Sequence, residues 1–152
     1  VVKLVMDEDE ELGRTSELSK TDKALIADAF LEQIAQNGYK TALASSTRIE
    51  TVTNQLKAAG IYRFFDEVIG GDMVSKSKPD PEIFLKAAAK LNVSPSEAYV
   101  IEDSFNGIRA AYSAGCIPFM VPDMLKPDEE MRKKAERIFE SLLDVRDFLS
   151  NQ

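Results

Sequence analysis

Short, nearly continuous apolar runs alternate with helical patterns along most of this chain, and that alternation narrows its possible folds more than any other feature. YKTALASS, AYVIED and CIPFMV are such runs, and FDEVIGGD is a shorter one that ends in a glycine turn. Between them the apolar spacing changes from strand-like to helix-like. From Thr21 to Asn37 the positions Leu25, Ile26, Ala29, Phe30 and Ile34 predict a helix with one buried face, with Thr21 and Asp22 as N-terminal caps and Gly38 as the stop. Ile49, Val52, Leu56 and Ala59 predict a second helix ending at Gly60. PEIFLKAAAKLN predicts a third, opened by proline, and SFNGIRAAYSAG a fourth, closed by glycine. Strands that are apolar on both faces must be covered on both faces, so the expected architecture is α/β: a doubly wound parallel sheet in a three-layer sandwich. In such a sheet ligands sit outside the carboxyl ends of the strands. Three of those ends are polar here, at Ser45 and Ser46, from Asp72 onward, and at Glu102 and Asp103.

Composition removes several chemistries. The chain has 152 residues and a formal charge of −7, which argues against nucleic acid or an anionic membrane as a partner, because both attract through basic patches. It has no histidine, which excludes Ser-His and Cys-His nucleophile pairs. A single cysteine, Cys116 in AGCIPFM, allows no internal disulfide and reads as a small buried hydrophobe, consistent with a reducing cytoplasm. No run approaches the roughly 20 apolar residues of a membrane span, and the first residues are too short a run for a signal peptide. Any chemistry must therefore run on carboxylates, lysines and hydroxyls, with or without a metal.

Three stretches carry that chemistry: ALASST, SKSKPDPEIF and VIEDSFNGIRAA. Ser45 ends a strand, so its hydroxyl and the backbone amide of Ser46 can donate to a phosphoryl oxygen; alternatively Ser45 caps a helix starting near Thr47. Lys78 precedes two stiffening prolines, Pro79 and Pro81, in KPDP, which aims its ammonium group, whereas Lys76 lacks a following proline. An isolated lysine there would be a solvated loop residue. Glu102 and Asp103 supply hard oxygen ligands suited to Mg²⁺, which takes only one or two protein carboxylates. Asp103 reads equally as the N-cap of the helix that follows, with Ser104 competing for that place.

In this order the three stretches resemble the second, third and fourth motifs of the haloacid dehalogenase superfamily, and most closely its β-phosphoglucomutase-like branch of phosphatases and mutases. The resemblance implies a Rossmann-like core and magnesium-dependent phosphoryl transfer through an aspartyl-phosphate on a small phosphorylated substrate, with a sugar phosphate foremost. It further implies that Ser45 and Lys78 hold the transferring phosphoryl group and that Asp103 ligates Mg²⁺, with Glu102 contributing directly or through water. Ser46 would act beside Ser45. Thr47 and Arg48 lie where mutase-like members hold a remote phosphate, although Ile49 stands where asparagine often follows. Without a histidine, phosphatase is favoured over mutase.

The first motif of that family is less well matched. An aspartate nucleophile and an acid–base aspartate two residues later belong on the first strand, and only Asp7 and Asp9 in VVKLVMDEDEEL have that spacing. Glu10 and Glu11 replace the usual glycine and threonine or valine, Lys3 interrupts the apolar run, and residues 10–20 are too few for the helical cap expected there. Residues 1–20 are therefore expected to be an acidic segment, either the remnant of a cap or a degenerate first strand, ahead of a core over 21–152. The favoured expectation is that the nucleophile strand precedes this chain, leaving an incomplete enzyme; the alternative is a degenerate Asp7/Asp9 motif on a core largely without a cap. A non-catalytic phosphate- or metal-binding core and a receiver-like signalling module are the rival readings.

Overall fold

A computed structural model describes residues 3–8, 20–122 and 125–152, with side chains from residue 27 onward. Six strands, β1 (Lys3–Glu8), β2 (Lys40–Ser45), β3 (Glu67–Ile69), β4 (Ala98–Glu102), β5 (Ile117–Met120) and β6 (Arg137–Ile138), form one sheet in the order β3-β2-β1-β4-β5-β6. Every adjacent pair is parallel. Six helices connect and cover them: α1 (Lys20–Gln36), α2 (Ile49–Ala58), α3 (Glu82–Lys90), α4 (Phe105–Ser113), α5 (Glu129–Lys134) and α6 (Leu142–Ser150). The chain winds outward from β1 to β3, then returns to lay β4 against the other side of β1. The order of strands therefore reverses between β1 and β4, where the carboxyl ends of a doubly wound sheet open a crevice.

The two helical layers follow from strand alternation. Ala98 and Val100 of β4 face one layer, where Ala42 and Ala44 of β2 join them under Ile83, Phe84 and Ala87 of α3 and Ala110 and Ala111 of α4. Alanines on both sides let these helices lie close to the sheet, and burying a side chain such as Phe84 contributes about 1.5–3 kcal/mol. On the opposite face Ile101 and Phe119 meet Phe30, Leu31 and Ile34 of α1 and Val145 and Leu149 of α6. Phe119 stacks on Tyr99 at 4.7 Å between centroids and takes Phe148 edge-on at 5.6 Å. Helices α1, α2 and α4 stop at Gly38, Gly60 and Gly115, each left-handed with φ near +80°, +75° and +80°, a conformation glycine adopts without a Cβ penalty. Among the described residues no helix is long and apolar enough to cross a membrane.

The α/β sandwich is as expected, and three local readings are corrected. Ala29 is exposed while Leu31 is 1% exposed, so the buried stripe of α1 turns through Phe30, Leu31 and Ile34. Thr21 and Asp22 fall inside the first turn of α1, which already begins at Lys20. Most consequentially, residues 3–8 are a strand at the centre of the sheet, in register with β2 from Lys3↔Lys40 to Glu8↔Ser45 and with β4 from Lys3↔Ala98 to Met6↔Ile101. The first strand's place is thus filled from within this chain, and β1 joins the β2–β3 pair on one side to the β4–β5–β6 strands on the other. Lys3 is compatible with the strand because it stands at its amino end, opposite the exposed Lys40, rather than in its middle. Asp9, Glu10, Glu11 and the cap expectation for residues 10–20 fall on the 9–19 stretch, outside the described residues apart from Lys20.

Candidate active site

Strand ends bring the predicted residues to one rim. Asp7 is in register with Ala44, one residue before Ser45, so β1 carries it to the same end of the sheet as β2 carries Ser45. Glu102 is the last residue of β4, the neighbour of β1 on the other side. Strands lie about 4.8 Å apart, so the tips of β2, β1 and β4 span roughly 10 Å, a width suited to a phosphate ester with its counter-ion.

Ser45 is 1% exposed, and its Oγ accepts a hydrogen bond from the amide of Thr47 at 3.1 Å. That bond closes a tight turn rather than capping α2, which starts at Ile49 with Arg48 at the N-cap position. Helix α2 is capped instead from another loop: Asp72 Oδ1 accepts from the Ile49 amide at 2.8 Å, and the Gly71 amide donates to the Thr47 carbonyl at 2.8 Å. A Cβ on Gly71 would lie 2.1 Å from the Ser46 carbonyl oxygen, so glycine is required for the loop after β3 to lock onto the turn after β2. Ser46 and Arg48 are exposed and Thr47 is half-buried, which leaves their polar groups at the surface of the rim.

Glu102 is 1% exposed, and its two oxygens are held differently. Its Oε1 accepts from the amides of Asp103 and Ser104 at 3.0 and 3.2 Å and from Ser104 Oγ at 3.1 Å, while Oε2 lies 3.5 Å from Lys78 Nζ. The Lys78 side chain is only 7% exposed, so this pair replaces water for both charges. Ser104, rather than Asp103, is the N-cap of α4, accepting from the Gly107 amide at 3.0 Å. Asp103 is therefore spared the capping role and stands half-buried at the tip of β4.

Two residues that shape this arrangement carried no signal as site residues. Gly107 lies against Glu102, where a Cβ would sit 1.9 Å from the Glu102 carboxyl carbon; only the absence of a side chain lets a glutamate fold back between strand and helix. Glu82, in the first turn of α3, accepts from the amides of Ser75 and Lys76 at 2.6 and 3.2 Å and so pins the loop that leads to Lys78. The Lys78–Pro79 peptide bond is cis.

The donor chemistry suits a hard cation, since carboxylate oxygen is available and neither histidine nor an exposed thiol competes for it. Among the described residues no three acidic, histidine or cysteine side chains are grouped as they would be around an ion. Glu102 Oε1 accepts three hydrogen bonds, whereas its buried Oε2 accepts none and faces Lys78 Nζ across 3.5 Å, so Asp103 and Glu102 Oε2 are the carboxylate groups at the tip of β4 that fit a hard cation. Burial raises the Cys116 thiol to about 11, so it behaves as the small hydrophobe its neighbours imply.

Comparison with known proteins identifies the family. A family model described as haloacid dehalogenase-like hydrolase matches residues 7–115. A bifunctional riboflavin kinase/FMN phosphatase from Arabidopsis thaliana is 34% identical over 121 residues, covering 79% of this chain and 32% of that protein. A phosphorylated carbohydrates phosphatase from Thermotoga maritima is 41% identical over 85 residues, covering 56% of this chain and 39% of that one. The crystal structure of β-phosphoglucomutase from Clostridium difficile superposes with a TM-score of 0.71 at 29% identity, over 83% of this chain and 54% of its own. The chain thus spans about a third to two fifths of the length of these two curated relatives.

Proposed function

This chain belongs to the haloacid dehalogenase-like hydrolases, and on that premise we propose that it supplies the catalytic core for magnesium-dependent phosphoryl transfer from a small phosphorylated metabolite, a sugar phosphate foremost. The single observation that carries the proposal is the buried Lys78–Glu102 pair at the rim, beside the strand end that bears Asp7. Asp7 is the nucleophile in this reading: its carboxylate oxygen forms a bond to phosphorus as the ester P–O bond breaks, and Asp9 gives a proton to the departing alkoxide. Water, or a second hydroxyl of the substrate, then takes the phosphoryl group from Asp7 while Asp9 receives its proton. Ser45 and the Ser46 amide hold one phosphoryl oxygen, and Lys78 offsets the charge that spreads over the others. Thr47 and Arg48, on the exposed edge of the same turn, bind a second phosphate where the substrate has one, Arg48 through its planar fork. Asp103 would hold Mg²⁺, with Glu102 contributing through its second carboxylate oxygen or through water. When bound, that ion neutralises phosphoryl charge and aligns the ester for attack.

The curated relatives support the phosphate-ester class, since those named above are phosphatases acting on FMN or phosphorylated carbohydrates. Hydrolysis is favoured over isomerisation because both of these curated relatives are named as phosphatases. A cytoplasmic setting belongs to the same proposal and rests on the single free cysteine. The second reading is a phosphate- or metal-binding core without turnover, favoured by Glu10 and Glu11, whose charges would repel a phosphate. A screen of phosphate esters with Mg²⁺ separates the two. Hydrolysis that disappears in Asp103→Asn supports the enzyme, and full activity of that variant rejects the metal assignment.

A further inference from the structure

We infer that Glu82 is a positioning residue for Lys78, acting through the backbone of the loop between them. The observations are local and mutually reinforcing. Glu82 opens α3, where the helix dipole favours a carboxylate, and its two oxygens accept from consecutive amides, Ser75 at 2.6 Å and Lys76 at 3.2 Å. The other end of the loop is tied to the same helix: Asp80 Oδ1 accepts from the Glu82 amide at 3.0 Å, and the Asp80 amide donates to the Ser77 carbonyl at 3.0 Å. Lys86, one turn further along α3, donates to the Met73 carbonyl. The segment from Ser75 to Asp80 is therefore held at both ends by α3, and Lys78 leaves from its middle. Helix α3 itself is anchored by Ile83, Phe84, Ala87 and Ala88, all buried against the sheet.

A surface role alone would not need this geometry. Glu82 is half-buried rather than solvated, and it spends both oxygens on main-chain donors instead of on a nearby base. Without it, the exposed Ser75 and Lys76 amides would turn to water, and the loop would gain freedom just before the residue whose ammonium must meet Glu102 at 3.5 Å. Glutamine is an informative replacement. It keeps the length of the side chain but offers one acceptor, and it turns an NH₂ toward one of the two amides.

The inference rests on the reading of Lys78 as a phosphoryl-binding group, and two measurements keep the two apart. The first needs no activity. Lysine acylation of the intact chain, followed by mass spectrometry, should label Lys78 slowly in the wild type compared with the exposed Lys126. In Glu82→Gln and Glu82→Ala, Lys78 labelling should rise roughly tenfold, the opening allowed by loss of a charge-assisted hydrogen bond, with Lys40 labelling unchanged. The second is Mg²⁺-dependent hydrolysis of p-nitrophenyl phosphate, where Glu82→Gln should lower kcat by about 10- to 100-fold and leave KM within about twofold, with Glu82→Asp recovering part of the loss. Unchanged Lys78 labelling in folded variants overturns the inference, as does a rise shared equally by every lysine, which would mean general loosening. If the wild type shows no hydrolysis, or hydrolysis that Asp103→Asn leaves intact, the phosphoryl-transfer reading has failed and the labelling result alone decides the role of Glu82.

Discussion

Two glutamates lean on helix α4, and they are held in opposite ways. Glu102 reaches Gly107 from β4, is 1% exposed, and meets one ammonium group at 3.5 Å. Glu130 reaches Arg109 from α5, is 35% exposed, and takes a two-pronged bond from that guanidinium at 2.8 Å on each side, with Lys134 at 2.9 Å. By distance alone the second is the better ion pair. Desolvation reverses the ranking: at Glu130 water replaces whatever a mutation removes, whereas at Glu102 nothing does. The rim of the sheet thus holds its charges because the fold has enclosed them, while the α4–α5 surface holds its own because geometry is good. Only the enclosed pair fixes a reactive group in one place.

The sharpest way to break this comparison is to remove one partner of each pair. Glu102→Ala, which strands a buried ammonium, should cost about 3–5 kcal/mol in denaturant unfolding, and the double variant with Lys78→Ala should recover part of that. A loss no greater than that of Glu130→Gln would refute the ranking by desolvation. Gly107→Ala should come next, at about 1–3 kcal/mol or more, because its methyl group must displace the Glu102 carboxyl, 1.9 Å away. An alanine tolerated without change in stability would mean that Glu102 is not seated against α4 as described.

Glu130→Gln should have a smaller effect that shrinks in high salt. Its pH dependence is specific. The hydrogen bond from Arg109, then that from Lys134, lowers the Glu130 carboxyl from 4.5 to about 2. A carboxyl depressed on folding stabilises the native state fully above its unfolded value and loses that contribution as pH falls through its folded value. The stability gap between wild type and Glu130→Gln should therefore be constant down to about pH 4.5 and close toward about pH 2. A gap that widens in acid would contradict the assignment. The smallest expected signal is chemical: with its thiol raised to about 11, Cys116 should resist alkylation at pH 8 until the chain unfolds.

The sequence made the periodic elements visible and hid those defined by contact. The runs of β2, β4 and β5 are apolar on both faces and flanked by glycine-closed helices, so pattern alone located them. Strand β1 was obscured because Lys3 and the acidic residues after Met6 mask a short run whose strand character comes from pairing with β2 on one side and β4 on the other. Strand β6 is two residues long, and both Arg137 and Ile138 are exposed, so no hydrophobic period announces it. At the site, the motif residues Ser45, Lys78, Glu102 and Asp103 were legible as types. What each touches was not. That Ser104 rather than Asp103 caps α4, that Gly107 makes room for Glu102, and that Glu82 reaches back to the Ser75 and Lys76 amides are facts of folding, invisible until strand and helix are brought together.

The most direct test of the account is whether an acyl-phosphate mimic forms on β1. Fluorine NMR of the chain with beryllium trifluoride should show a bound species that requires Mg²⁺, vanishes in Asp7→Asn and weakens sharply in Asp103→Asn. A spectrum without that species, or one indifferent to Asp7→Asn, would contradict the claim that the tips of β1, β2 and β4 enclose a single phosphoryl-transfer site.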